Sequence, residues 1–106
     1  MLTFEEAQKQ VDDWVKTYTD GYWPQTEQGS QLIEEAVELQ RELRHLYGRK
    51  KKKDDDSKAS ILEELGDVLM PLICVANQEG ICLEDAFARL MEKCHGRDAE
   101  RFRKTK

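Results

Sequence analysis

Apolar positions along this chain recur with the period of an α-helix, and no segment shows the two-residue alternation of a half-buried strand. Phe4, Ala7, Val11, Trp14, Val15 and Tyr18 fall on one stripe, predicting a first helix from Thr3 to about Tyr18 with Trp14 turned into the core. Thr3 and Glu6 have the spacing of a capping box, in which each side chain bonds the other residue's backbone N–H. Asp20-Gly21 breaks that helix, and Tyr22-Trp23-Pro24 reads as a loop because a residue before proline avoids helical geometry. Leu32, Ala36, Leu39, Leu43 and Leu46 form the seam of a second helix over about Thr26 to Tyr47, and Gly48 suits a left-handed helix end. A third helix, capped by Ser57 or Ser60, carries Leu62, Leu65, Leu69, Leu72, Ile73 and Ala76 inward and stops at Gly80. Pro71 lies inside it and leaves the Asp67 carbonyl without its helical donor, a kink that serves either a nearby site or the core alone. A short fourth helix, Leu83 to Cys94, turns Ala86, Phe87, Leu90 and Met91 inward before Gly96 interrupts it.

The predicted fold is therefore all-α, a bundle of four to five helices built on an antiparallel helical hairpin. At 106 residues it is one domain, 1–106. Two segments stand outside the periodic pattern. Residues 49–57, beginning Arg49-Lys50-Lys51-Lys52-Lys53-Asp54-Asp55-Asp56, contain no apolar side chain and are expected to form a mobile charged loop, either a solvated linker or a basic flap over an anionic ligand. Residues 97–106 form a basic tail. The long hairpin helices carry more apolar surface than one short helix and a tail can cover. A homodimer is expected, with a tetramer as the larger alternative.

Charge and cysteine content narrow the function. A formal net charge of −5 argues against general nucleic-acid binding through phosphate neutralisation, although basic residues cluster at Arg49 to Lys53 and from Arg97 to Lys106. No apolar run approaches the ~20 residues of a membrane span, and Met1-Leu2-Thr3-Phe4 opens no secretory signal. Cys74, Cys82 and Cys94 form no CxxC pair and read as buried, reduced thiols. The expected location is cytoplasmic.

Acidic pairs carry the candidate chemistry. Glu35 and Glu38 share one face of the second helix, and Glu64 and Asp67 share one face of the third, each at i, i+3. Glu38 precedes Gly48 by ten residues and Asp67 follows Ser57 by ten. In an antiparallel hairpin both pairs therefore stand at one height, roughly 15 Å from the connecting loop. Four half-buried carboxylates at one level repel one another and have raised pKa values unless a cation intervenes. Oxygen-only ligands favour Mg²⁺, with Mn²⁺ as the alternative, over zinc.

Glu34-Glu35-x-x-Glu38 followed at a distance by Glu64-x-x-Asp67 resembles the EExxE…ExxD mark of the MazG-type nucleotide pyrophosphohydrolases, an all-α group. The likeness runs from about Leu32 to the basic tail and includes Gly66-Asp67-Val68-Leu69 and the Asn77…Gly80-Ile81 helix end. It implies that Glu35, Glu38, Glu64 and Asp67 bind Mg²⁺, and that a (d)NTP and water give a (d)NMP and pyrophosphate in nucleotide-pool house-cleaning. Glu34 then positions or deprotonates the attacking water, or else simply faces solvent. Lys93, with Arg97, falls where the family's basic residues contact phosphates, although Gly96 interrupts the usual run. Asn77 is a candidate for the sugar or phosphate and equally for a helix-capping role. Trp23, in the loop before the second helix, is the candidate for stacking the base.

Two rivals share the pattern. Glu42-x-x-His45 and Glu92-x-x-His95 are the ExxH pairs of a carboxylate-bridged di-iron bundle, but both histidines lie beside helix-ending glycines, away from the Glu35 level. A non-enzymatic dimerisation or adaptor module would use the same leucine seams and leave the acids idle.

Overall fold

A computed structural model describes residues 1–48 and 57–96 of the chain. Four helices run in the order α1 (Phe4–Val15), α2 (Gln25–Tyr47), α3 (Ser57–Gln78) and α4 (Leu83–His95), with no strand among the described residues. The expected charged loop lies outside the described residues apart from Ser57, where α3 begins, and so does the basic tail with Arg97.

Local chemistry accounts for most boundaries. The capping box at Thr3 forms in full: its Oγ1 accepts from the Glu6 N–H at 3.1 Å, and its own N–H donates to Glu6 Oε1 at 3.0 Å. α3 ends in a left-handed turn at Gly80, φ +66°, with the Ile81 N–H reaching back to the Ala76 carbonyl at 2.9 Å. Gly21 takes φ +63° in the loop after α1, a conformation that costs glycine no steric penalty.

Several boundaries and faces differ from the sequence reading. α1 stops at Val15 rather than Tyr18, because the chain tightens into turns in which the Thr17 and Tyr18 N–H groups bond the Trp14 and Val15 carbonyls. Ser60 lies inside α3 and caps nothing at its start. Gly48 is extended, not left-handed; glycine is still required, since a Cβ there would collide with the Arg44 carbonyl oxygen. α3 continues through Pro71, whose side chain is buried.

α2 packs along α3 as the expected hairpin, while α1 lies across α3 and touches α4. Phe4 and Phe87 make the α1–α4 contact with ring centroids 5.9 Å apart. The core is small and sits where Val15 and Gln28 meet Pro71, Ile73, Cys74 and Ala76 at the C-terminal half of α3. Only Cys74 of the three cysteines is buried; all three are free thiols. The outer seam does not enter this core. Leu62 is 72% exposed, and Leu65, Leu69, Leu72, Phe87 and Leu90 are exposed as well. Trp14 is 52% exposed rather than core. One short helix and an α1 of three turns cannot cover two faces of a 22-residue α3.

Candidate active site

The α2–α3 hairpin brings Glu35, Glu64 and Asp67 together, with one carboxylate oxygen from each lying within 4.8 Å of the others. On α3 the i, i+3 spacing puts Glu64 and Asp67 on one face; the register of α2 supplies Glu35 opposite. Burial first, then the charge of Asp67, pushes the Glu35 carboxyl above the usual carboxylate range, and a hydrogen bond to Asp67 acts the same way. Glu64 is raised for the same reasons, burial before the charges of Asp67, Glu35, Glu38 and Glu42. Its Oε2 is buried and has no hydrogen-bond partner among the described residues. A buried carboxylate oxygen without a partner, facing two further carboxylates, fits a hard divalent cation and fits little else. The grouped ligands include no histidine, and His45 lies 3.9 Å from Glu42 instead, which takes the di-iron donor set apart.

Glu38 stands beside this group without joining it: its carboxylate accepts from Arg41, one turn along α2, at 2.8 Å. Its charge nevertheless contributes to the raised values of Glu35 and Glu64. Glu34 is exposed on the neighbouring face of α2.

Next to the carboxylates opens a cavity of about 560 Å³. Glu35 and Asp67 line one part of it, and Trp14, Tyr18, Tyr22 and Trp23 line another, over a floor that includes Pro71 and Cys74. Trp14 and Tyr18 meet edge to face at 5.2 Å. Trp23 is 57% exposed, with its carbonyl held by Gln78 Nε2 at 2.7 Å. The cavity thus combines oxygen ligands suited to a cation, which could in turn hold an anionic group, with aromatic faces suited to a flat ring.

A sequence profile of the MazG nucleotide pyrophosphohydrolase domain matches residues 25–102, which contain α2, α3 and α4 and all three grouped carboxylates. The chain belongs to the MazG nucleotide pyrophosphohydrolase family. It is a nucleotide pyrophosphatase. The uncharacterized protein YpjD of Bacillus subtilis (strain 168) is 40% identical over 100 residues, spanning 94% of this chain and 90% of YpjD. Two solved structures share the fold. The Bacillus-conserved MazG protein, a nucleotide pyrophosphohydrolase, superposes with a TM-score of 0.77 at 39% identity, covering 88% of this chain and 90% of that one. The putative pyrophosphatase YPJD from Bacillus subtilis gives 0.79 at 41% identity, covering 88% and 95%.

The remaining candidates of this MazG chain lie apart from the carboxylates. Lys93 is exposed on α4, which packs against α1. Asn77 does not line the cavity and is bonded within the protein: its Nδ2 donates to the Gln8 carbonyl and to Tyr22 Oη, both at 3.0 Å, and its Oδ1 accepts from Gln8 Nε2 at 3.0 Å. Tyr22 Oη in turn donates to Asp12 Oδ1 at 2.6 Å. Burial, then the bond to Asp12, pushes the Tyr22 phenol up to about 12. Tyr22, Asp12 and Gln8 escaped the sequence reading because the bonds joining Tyr22 to Asp12 and Asn77, and Gln8 to Asn77 and Leu83, span 10 to 75 positions. Gln28 and Gln31 also line the cavity, and these had a signal: extending the Glu35 face towards the N-terminus by four and seven positions reaches both.

Proposed function

We propose that this chain hydrolyses (d)NTPs to (d)NMPs and pyrophosphate, cleaving the α–β phosphoanhydride with the help of Mg²⁺. The observation that carries the reading is a single cavity with converging carboxylates at one part and four aromatic rings at another. Glu35, Glu64 and Asp67 hold the metal, with Glu38 the fourth ligand candidate once it parts from Arg41. The ion would neutralise phosphate charge and lower the pKa of a bound water, with Mn²⁺ as the substitute. Glu34, adjacent to the ligands on α2, is assigned to orient the attacking water. Lys93 and Arg97 are assigned to the phosphates, and Trp23 to the base. The biological role is nucleotide-pool house-cleaning in the cytoplasm; no helix among the described residues is long and apolar enough to cross a membrane.

The protein works as a homodimer in this reading, or as a dimer of dimers. Leu62, Leu65, Leu69 and Leu72 are exposed at spacings of three and four along α3, a stripe that a second copy can meet with its own.

A panel of NTPs and dNTPs with Mg²⁺, read by released pyrophosphate, tests the activity against Glu64→Gln as control. Cleavage of at least one nucleotide by the wild type alone is expected. No cleavage by either protein, or equal cleavage by both, overturns the reading.

A further inference from the structure

Asn77 and Gln78 at the end of α3, with Glu79 just beyond it, hold the loop between α1 and α2 and the first residue of α2. Asn77 Nδ2 donates to Tyr22 Oη at 3.0 Å, Gln78 Nε2 donates to the Trp23 carbonyl at 2.7 Å, and Glu79 Oε2 accepts from Gln25 Nε2 at 3.0 Å. The same helix carries Glu64 and Asp67. Asp67 and Asn77 are ten residues apart, roughly 15 Å on a straight helix. The element that bears Asp67 in the cavity and Glu64 beside it therefore also fixes where the aromatic wall stands.

Tyr22 is the ring most firmly set in that wall. Its hydroxyl gives its one proton to Asp12 at 2.6 Å and receives one from Asn77 at 3.0 Å, leaving one oxygen lone pair uncommitted. Both partners are themselves held. Asp12 Oδ2 pairs with Lys16 at 2.6 Å on the same helix. The Asn77 amide can point only one way, since turning it over would set its oxygen against the Gln8 carbonyl that Nδ2 now reaches at 3.0 Å. Gln8 closes the network, donating to Asn77 Oδ1 and to the Ile81 carbonyl and accepting from the Leu83 N–H at 2.9 Å. By contrast, no hydrogen bond between described residues holds the side-chain N–H of Trp14 or Trp23, and both are more than half exposed.

We propose that Asp12 and Asn77 are positioning residues acting through Tyr22, whose ring they hold as the fixed aromatic face against which the nucleotide base packs. The proposal rests on the nucleotide-hydrolase reading for its ligand, and on the hydrogen-bond network for its mechanism. A face held before the ligand arrives loses no side-chain freedom on binding, so the clamp acts on affinity rather than on the chemical step.

The test has two readouts. In steady-state kinetics with the preferred nucleotide, Tyr22→Phe keeps the ring and removes both hydrogen bonds; KM should rise about fivefold with kcat within about twofold, the factor a lost hydrogen bond supplies. Asp12→Ala should raise KM similarly, and Asp12→Asn should restore it, because the amide oxygen still accepts from Tyr22. Independently of any nucleotide, aromatic side-chain NMR relaxation of residue 22 in the free protein should show a rigid ring in the wild type and in Asp12→Asn. The ring should loosen in Tyr22→Phe and Asp12→Ala. An unchanged KM in a folded Tyr22→Phe protein overturns the proposal, as does a fall in kcat with KM constant. Unchanged ring order in that variant also overturns it, even if the wild type cleaves no nucleotide. The absence of cleavage alone counts against the hydrolase reading and not against the clamp.

Discussion

The two ends of the cavity are built on opposite principles. At the aromatic end the groups around Tyr22 are bonded to one another: Tyr22 to Asp12 and Asn77, Asp12 to Lys16, and Asn77 to Gln8. Gln78 Oε1 nearby is buried with no hydrogen-bond partner among the described residues. At the carboxylate end Glu35, Glu64 and Asp67 crowd within 4.8 Å, two of them with raised pKa values, and Glu64 Oε2 has no hydrogen-bond partner among the described residues. The network around Tyr22 is made by protein groups alone. The carboxylates gather like charge, which the proposed cation would neutralise. The contrast shows how a small fold divides its polar groups: bonded ones steady the aromatic wall, and like charge is concentrated at the carboxylates.

Removing charge from the carboxylate end should have the largest effect. Glu64→Gln keeps size and removes one carboxylate; pyrophosphate release should fall by about a hundredfold or more, on the scale of losing a principal electrostatic group. Without metal, however, the same variant should melt a few degrees higher than the wild type, because it relieves repulsion. A lower melting temperature would mean that the crowded acids are not a source of strain. Asp12→Ala should do the reverse at the aromatic end, melting lower with or without metal.

Magnesium sharpens the contrast from the other side. At a hundred times its dissociation constant a ligand adds about 2.7 kcal/mol, which for a domain of this size raises the melting temperature by roughly 10 °C or more. Calorimetry of wild type with and without Mg²⁺ should show that rise, and Glu64→Gln should lose most of it. Equal shifts in the two proteins would place the ion elsewhere.

Acid gives the smallest effect and opposite signs at the two ends. Glu35 and Glu64 are raised from 4.5, so the folded metal-free protein binds more protons than the unfolded chain just above that value. Their contribution to stability falls as pH rises through this window. Asp12 is lowered from 3.8, chiefly by its hydrogen bond to Lys16 and then by that to Tyr22; its contribution is present above that value and fades as pH falls below it. Metal-free stability should therefore improve on mild acidification from neutrality and decline again in stronger acid. In Glu64→Gln the first limb should flatten while the second remains.

Much of this architecture was legible in the chain. Helical periodicity gave four helices with ends close to those observed, and Thr3 with Glu6 gave a cap that forms as expected. The single connection between α2 and α3 implied an antiparallel hairpin. Counting from Gly48 and Ser57 put Glu38 level with Asp67 and both acidic pairs at about one height, where the structure brings Glu35, rather than Glu38, to Glu64 and Asp67. Such inferences succeed because i, i+3 spacing and helix rise are properties of the backbone, and they hold wherever the helix goes. Trp14 and the leucines of the α3 seam were legible as apolar but not as exposed, since a stripe reports a preference for burial without saying what will cover it.

Only the tertiary structure decided that Glu38 turns to Arg41 rather than to the other acids, and that Asn77 serves Tyr22 and Gln8 rather than lining the cavity. It also decided that Asp12, which no motif marks, anchors an aromatic wall. The reason is physical. A helix face is set by residues three and four apart, whereas a bond from Asn77 to Gln8 spans 69 positions and depends on how two helices cross, a quantity that no local spacing carries.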